Sequence, residues 1–178
     1  AKDILAEVYA DDADYRTKLR AMTKESGSLV AKAKDEEAES VYEMYYDFSE
    51  PIKKLVGHRI LAINRGEAEK FLTVKIEAPR QEILLWLVKQ IIGNMKHDSA
   101  SYLYEAITDS YDRLIAPSIE REIRNELTEK AEEGAIGVFG KNLHQLLMQP
   151  PISGQVVLGW DPGFAHGSKL AVVDETGK

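Results

Sequence analysis

The amino-acid sequence predicts a mainly α fold, a multi-helix bundle with one short strand and a β-hairpin at its C-terminal end. Most of the chain carries apolar residues at the spacing of a helix face. One short segment alternates apolar with polar residues, and residues 151–178 change to strand-like runs separated by turns. The 178 residues, 44% hydrophobic and 30% charged, are enough for one good-sized domain or for one domain and part of another.

The first 50 residues are predicted to form helices. Two short helices precede Gly27, which ends the second of them. Residues 35–48 are predicted to form a further helix, because their large apolar side chains fall at i, i+1, i+4 and i+7 and share one face. These side chains are Val41, Tyr42, Tyr45 and Phe48. Such a stripe is more often part of a core than a platform for stacking bases.

The middle of the chain mixes helices with one strand. A helix or a pair of helices is predicted to begin at Pro51, to be interrupted near Gly57 and to end near Gly66. Residues 71–78 alternate apolar and polar side chains, which predicts a short strand. An amphipathic helix is then predicted from Pro79 to about Ile92.

The C-terminal part begins with a long helical pattern and ends with strands. Residues 98–149 keep helical spacing, and Pro117 is expected to interrupt them. Residues 155–161 and 169–174 predict a hairpin, which is marginally stable alone and is therefore expected to begin a larger sheet. Because the chain also opens within a helical pattern and without Met, we expect it to be a piece of a longer protein.

The residue types narrow the possible chemistry. The absence of cysteine excludes disulfides, thiolate metal ligands and cysteine nucleophiles, and it is compatible with a reducing cytoplasm. The four histidines lack the paired spacing of a zinc site or a catalytic triad; they are His58, His97, His144 and His166. No P-loop, signal peptide or apolar run of membrane length is recognisable. No cofactor, metal ion or membrane partner is therefore expected.

The charge is unevenly distributed along the chain. The net charge is -7, yet residues 51–97 carry 9 basic and 4 acidic side chains. Basic side chains bind phosphates without regard to sequence, so this block predicts a nucleic-acid-binding surface. Its candidate residues are Lys53, Lys54, His58, Arg65, Lys70 and Lys75. In one continuous helix, Lys54, His58 and Arg65 would share a face. Two alternatives remain: a solvated lysine-rich surface, or pairing of Arg59 and Arg65 with carboxylates such as Glu67.

Three stretches of the chain resemble the Tex family of bacterial transcription accessory proteins. They are HRILAINRGEAEKFLTVKIE (58–77), DSYDRLIAPSIEREIRNELTEKAEEGAIGVFGKNLHQLLMQPP (109–151) and VLGWDPGFAHGSKLAVVDETGK (157–178). The third resembles the start of that family's YqgF-type, ribonuclease-H-like domain. It departs from the usual pattern in FAHGSK, where the family has an Arg-Thr pair and a small residue before the lysine.

The resemblance implies a Tex-like helical domain over residues 1–150 and, over 151–178, the first hairpin of an incomplete ribonuclease-H-like domain. It also implies a cytoplasmic protein that binds RNA or single-stranded DNA and acts with the transcription machinery. Further domains of the same chain would then carry the best-defined RNA contacts.

Asp161 is the one residue that the resemblance marks for chemistry. In ribonuclease-H-like folds an aspartate at the end of the first strand is one of several carboxylates that hold two metal ions. One carboxylate cannot do this alone, and DPG is also an ordinary turn sequence. The sequence therefore predicts a non-catalytic nucleic-acid-binding region. The alternatives are a scaffold that orients flanking domains, and part of a metal-dependent, structure-selective nuclease.

Overall fold

The computed structural model describes residues 2–93, 99–150, 152–165 and 167–178, and they form two compact units. One unit extends to Ile136, and the other comprises Gly137–Lys178. Helices predominate, which confirms the predicted mainly α class. The predicted boundary at residue 150 stays a prediction.

The first unit contains six helices and three strands in the described part of the chain. In order they are α1 (Lys2–Asp11), α2 (Ala13–Ser26), β1 (Ser28–Ala33), β2 (Asp47–Pro51), α3 (Gly57–Ala68), β3 (Leu72–Glu77), α4 (Arg80–Ile91), α5 (Ala100–Asp109) and α6 (Ala116–Leu147). Two 3-10 turns (Glu43–Tyr45 and Ile52–Lys54) and a π-helical segment (Ser110–Ile115) complete it. Helix α6 continues past Ile136, and the second unit adds the hairpin of β4 (Val157–Asp161) and β5 (Lys169–Val173).

The three strands of the first unit form an antiparallel sheet in the order β2-β1-β3. Leu29 of β1 lies between Glu50 and Ile76, and Ala31 lies between Phe48 and Val74. These residues point to one face of the sheet, where the side chains of Leu29, Ala31 and Val74 are buried in one core cluster with Ile63 of α3. Because side chains alternate along a strand, Lys75 points to the opposite face.

A second core cluster holds the helices together. Its fully buried members include Leu19 of α2, Leu87 of α4, Ile107 of α5 and Ile123 of α6. Tyr15 packs edge-on against Trp86, with ring centroids 5.7 Å apart. The predicted apolar helical faces therefore meet one another, as expected for a helical bundle.

The helix predicted over residues 35–48 is wrong, and the strand β1 was not predicted. Tyr42 and Tyr45 are buried, as predicted, but Tyr42 precedes a single 3-10 turn that ends at Tyr45, and Phe48 lies on β2. Val41, which would share their helical face, is 85% exposed. Pairing of β2 with β1 satisfies the backbone of this region and overrides the helical spacing of its side chains.

The helix predicted to end near Gly66 ends at Ala68, two residues later. Gly66 lies within α3 because the helix approaches its neighbours closely there: an added Cβ would lie 2.7 Å from Leu72 Cδ1 and 3.1 Å from Tyr42 Cδ1. The interruption before Gly57 is confirmed, since Leu55 and Val56 are extended.

Pro117 does not interrupt a helix in the way that was expected. It is the second residue of α6, and the π-helical segment Ser110–Ile115 runs directly into that helix, so the chain stays helical up to the proline. The wider π-helical segment separates α6 from α5. The predicted strand in 71–78 and the hairpin are both present, with Val157 opposite Val173 and Asp161 opposite Lys169. Among the residues described, no helix is long and apolar enough to cross a membrane.

Candidate nucleic-acid interface

Helix α3 carries the centre of the predicted basic surface. Ile60 and Ile63 are buried on its inner side, and Gly57 approaches Ala131 of α6 so closely that an added Cβ would lie 3.3 Å from its Cα. His58 and Arg65, seven residues apart, lie on the opposite side of the helix and are exposed. The sequence therefore placed these two side chains correctly on one face.

Lys54 and Lys70 lie just beyond the two ends of α3. Lys54 lies in the 3-10 turn before the helix, and Lys70 follows it with a positive φ of 68°. Both side chains are exposed. However, the extended residues Leu55 and Val56 separate Lys54 from His58, so the assumption of one continuous helix face was wrong. We call Lys54, His58, Arg65 and Lys70 the α3 basic surface.

The other two predicted lysines lie elsewhere. Lys53 forms an ion pair with Glu25 of α2, which neutralises part of its charge. Lys75 is exposed on β3, where it pairs with Val30 of β1. It lies on the face of the sheet opposite to Leu29 and Ile63. Neither residue therefore joins the α3 basic surface directly.

The two arginines of α3 have different environments. Arg59 Nη1 donates hydrogen bonds to both carboxylate oxygens of Glu50, each at 2.9 Å. Arg65 forms no ion pair within the residues that the structure describes, although it lies near the buried Tyr42. Glu67 pairs with Arg124 of α6. The predicted pairing with a carboxylate is therefore confirmed for Arg59, with Glu50 in place of Glu67, and is wrong for Arg65 within the described residues.

The pKa of Tyr42 beside this surface is raised above its ordinary value. Burial is the largest cause, and a hydrogen bond with Glu69 and the charge of Glu69 raise it further. Arg65 acts in the opposite direction, because a nearby cation stabilises the phenolate. The tyrosine is therefore neutral at physiological pH.

A polar cleft lies between Asn64 of α3 and helix α6. It has a volume of about 320 Å³, and its lining includes Arg121, Asn125 and Thr128. Asn64 Nδ2 donates to Thr128 Oγ1 at 2.8 Å, which fixes the two helices at this point. Arg121 and Asn125 are exposed, and the sequence analysis missed them because α6 lies far from α3 along the chain.

Other basic residues are used to join helices. Arg16 and Arg20 of α2 both donate to Glu122 of α6, at 2.6 and 2.8 Å. Burial raises the pKa of Glu122, but the hydrogen bonds from Arg20 and Arg16 outweigh it and hold the pKa below its ordinary value. An ion pair between Lys24 and Glu126 lies one helical turn further along. We call this row of ion pairs the ladder between α2 and α6. The i, i+4 spacing of Arg16, Arg20 and Lys24 was the only sequence signal for the ladder.

Asp161 does not lie in a cluster of carboxylates among the described residues. It is exposed at the end of β4, directly opposite Lys169. No group of three or more His, Asp or Glu side chains within the described ranges is arranged to hold a metal ion. Two of the histidines considered above, His97 and His166, lie outside those ranges.

The comparisons with known proteins agree with the sequence resemblance. A family model described as Tex central region-like matches residues 1–139. The chain belongs to the Tex family. Its relatives include the uncharacterized protein YdcI of Bacillus subtilis (strain 168), 51% identical over 181 residues, which cover 100% of this chain and 25% of YdcI. The transcriptional accessory protein Tex of Neisseria gonorrhoeae is 33% identical over 186 residues, covering 100% of this chain and 24% of that protein.

A human relative extends the comparison beyond bacteria. The S1 RNA-binding domain-containing protein 1 of Homo sapiens is 34% identical over 187 residues, covering 97% of this chain and 19% of the human protein. This Tex-family chain thus spans about a quarter or less of the length of these relatives. The α3 basic surface falls inside the residues that match the family model, whereas the hairpin lies outside them.

Proposed function

We propose that this Tex-family chain contributes to the binding of RNA or single-stranded DNA by a transcription accessory protein, through the α3 basic surface. The observation that carries the proposal is the exposure of His58 and Arg65 on one face of α3, with Lys54 exposed just before the helix and Lys70 just after it. None of the four side chains forms an ion pair within the described part of the chain. The charges of Lys54, Arg65 and Lys70 are therefore available to phosphates.

The printed names of the relatives support the same function. One is a transcriptional accessory protein and another contains an S1 RNA-binding domain. The chain is acidic overall, so a local basic surface is needed to hold a polyanion, and the α3 basic surface supplies one. Arg121 and Asn125, in the cleft between α3 and α6, supply a further cation and a hydrogen-bonding amide.

Binding of a labelled single-stranded RNA at several salt concentrations tests the proposal. We expect weak binding, with a Kd of about 10⁻⁴–10⁻⁶ M at physiological salt, that weakens steeply as salt increases. The variant Lys54→Glu/Arg65→Glu/Lys70→Glu should lose this binding without losing helical content. A matched control is Lys18→Glu/Lys89→Glu/Lys130→Glu, which changes the net charge equally at exposed positions elsewhere. Equal losses in both triple variants would refute a local surface.

A scaffold role is the second candidate, and the interhelical ion pairs favour it. Arg16, Arg20, Arg59 and Arg124 all hold one element against another, and the contacts span up to 106 residues of sequence. Such a rigid unit is suited to orienting flanking domains. Absence of any salt-sensitive binding by the wild-type chain would favour this role over the first.

The proposal includes no catalysis by these 178 residues. A two-metal nuclease site requires several carboxylates around each ion. Asp161 pairs with Lys169 at one end of the hairpin, whereas Asp174 and Glu175 follow β5 at the other end. The ribonuclease-H-like character of residues 151–178, the cytoplasmic location and contact with the transcription machinery remain parts of this proposal.

A further inference from the structure

A cavity of about 340 Å³ lies where α2, the end of β3, the π-helical segment and the start of α6 meet. This volume falls within the range of small-molecule sites. Part of its wall is apolar, formed by Ile76, Ala78, Ala116 and Ile119. We call it the Tyr111 cavity, after the tyrosine of the π-helical segment that also lines it. All of its lining residues belong to the first compact unit, and none of them belongs to the α3 basic surface.

The hydroxyl of Tyr111 has no hydrogen-bond partner among the described residues, although only 3% of this residue is exposed. No fully buried side-chain oxygen in the described ranges lacks a partner, so this hydroxyl is open to the cavity that Tyr111 lines. Thr23, which is as deeply buried and also lines the cavity, donates its hydroxyl hydrogen to the Leu19 carbonyl at 2.9 Å. Its oxygen can still accept. Because buried polar groups normally have partners, the cavity offers a ligand two polar contacts.

The backbone that carries Tyr111 and Asp112 is also unusual. Both residues belong to the π-helical segment Ser110–Ile115 and line the cavity. Turns of this type are rare in helices and occur frequently at functional sites. The segment is held in place at Ser110, which is completely buried and donates from Oγ to the carbonyl of Ala6 at 2.7 Å. The segment is therefore anchored in the core at Ser110 while the next two residues line the Tyr111 cavity.

The charged side chains around the cavity give it a negative charge. Three carboxylates and one guanidinium line it, which is a net charge of -2. The guanidinium of Arg80 donates two hydrogen bonds to Asp112, at 2.9 and 2.7 Å, so these two charges neutralise each other. Glu77 and Glu120 form no ion pair within the described part of the chain. Glu120 accepts a hydrogen bond from the Ile76 N–H through Oε1 at 3.0 Å, and its charge is therefore held at the cavity.

We propose that the Tyr111 cavity binds a primary alkylammonium group. Such a group has three N–H donors and no acceptor, and it complements the carboxylates of Glu77 and Glu120 and the hydroxyl of Tyr111. The alkyl chain next to the ammonium fits the apolar part of the wall. An organic cation suits the cavity better than a metal ion. No group of three His, Asp or Glu side chains in the described ranges is arranged to hold a metal.

Isothermal titration calorimetry of the chain with n-pentylamine tests this inference. We expect saturable binding with a Kd of about 1 mM or tighter, and no binding of n-pentanol, which has the same chain without the charge. The variant Glu77→Gln/Glu120→Gln should weaken binding at least about tenfold, because it removes both unpaired negative charges. The matched control Glu82→Gln/Glu129→Gln removes two charges at exposed positions outside the cavity and should bind as the wild type does.

The variant Tyr111→Phe removes only the hydroxyl and should weaken binding by about threefold to tenfold. Its melting temperature should stay near that of the wild type, because the hydroxyl has no partner to lose within the described residues. A loss of affinity without a loss of stability therefore supports the site even if the double glutamine variant unfolds. Unchanged affinity in Tyr111→Phe would contradict the assigned contacts.

Three further outcomes would overturn the inference: no saturable binding of pentylamine, equal binding of pentanol, or equal weakening in the cavity variant and its matched control. A second probe, Nα-acetyl-lysine methylamide, identifies the source of the ammonium group. Tighter binding of this probe than of pentylamine would assign the site to a lysine side chain, and weaker binding would assign it to a free amine. No nucleic acid takes part in these measurements, so the result is independent of the function proposed above.

Discussion

Arg59 on α3 holds both carboxylate oxygens of Glu50 on β2 through one guanidinium nitrogen, at 2.9 Å each. The pair fastens the helix to the edge strand of the sheet, and the carboxylate side is largely buried, with 20% of the Glu50 side chain exposed. Arg65, two turns later, faces solvent. The two arginines of α3 thus have a structural and a surface role.

We therefore expect Arg59→Ala to lower the stability of the chain and Arg65→Ala to leave it nearly unchanged. The loss for Arg59→Ala should be about 1 kcal/mol, because the pair is partly exposed and screened by water. Thermal unfolding followed by circular dichroism measures both. A double-mutant cycle with Glu50→Gln isolates the pair itself, and a coupling energy of zero would contradict its role.

The ladder between α2 and α6 predicts a dependence of stability on pH. The pKa of Glu122 is held below its ordinary value of 4.5 in the folded chain. A carboxyl whose pKa is lower in the folded state contributes stability that is fully present above the unfolded pKa. This contribution is lost as the pH falls through the folded pKa. The melting temperature of the wild type should therefore exceed that of Glu122→Gln near pH 7, by an amount corresponding to about 1 kcal/mol or less.

The difference between the two proteins should shrink as the pH falls below 4.5, the ordinary pKa of this group. Arg16→Lys/Arg20→Lys is the matched control, because it keeps both charges but loses the planar guanidinium geometry. A difference in melting temperature that stays constant from pH 7 to pH 3 would show that the ion pairs of Glu122 do not carry its contribution.

Local sequence patterns predicted most helices, β3 and the hairpin, but not the first two strands of the sheet. Strand β1 reads SLVAKA, and Leu29, Val30 and Ala31 are all buried, so the alternation that reveals a half-exposed strand is missing. Residues 41–48 have helical spacing, and their real conformation is set by pairing with β1, which no local pattern encodes.

The sequence likewise predicted only part of the candidate site. Charge composition located the basic block, and helical spacing placed His58 and Arg65 together. The sequence could not show that Lys53 pairs with Glu25, nor that Arg121 lies beside α3. Those facts depend on which elements meet in three dimensions, because partners distant along the chain leave no periodic signal.

We predict that the chain has no nuclease activity that depends on Asp161. Incubation of the chain with single-stranded and structured RNA or DNA, in Mg²⁺ or Mn²⁺, should yield no cleavage above that of Asp161→Asn. The reason is that a metal needs several oxygen ligands to offset its lost hydration, and the carboxylate at the end of β4 stands opposite Lys169. Metal-dependent cleavage that disappears in Asp161→Asn would overturn this prediction.

Two glycines in helices should respond oppositely to the same substitution. Gly66→Ala should destabilise the chain by about 1–3 kcal/mol, because the added methyl overlaps Leu72 and Tyr42 where α3 meets the sheet. Gly137→Ala adds its methyl in open space on α6 and removes a glycine from a helix interior, so it should stabilise the helix locally by about 0.5–1 kcal/mol. Thermal unfolding and helical ellipticity distinguish the two, since Gly66→Ala lowers the melting temperature and Gly137→Ala raises the ellipticity. A neutral Gly66→Ala would mean that Leu72 can move aside at no cost, and that the core between α3 and β3 is less tightly packed than its burial indicates.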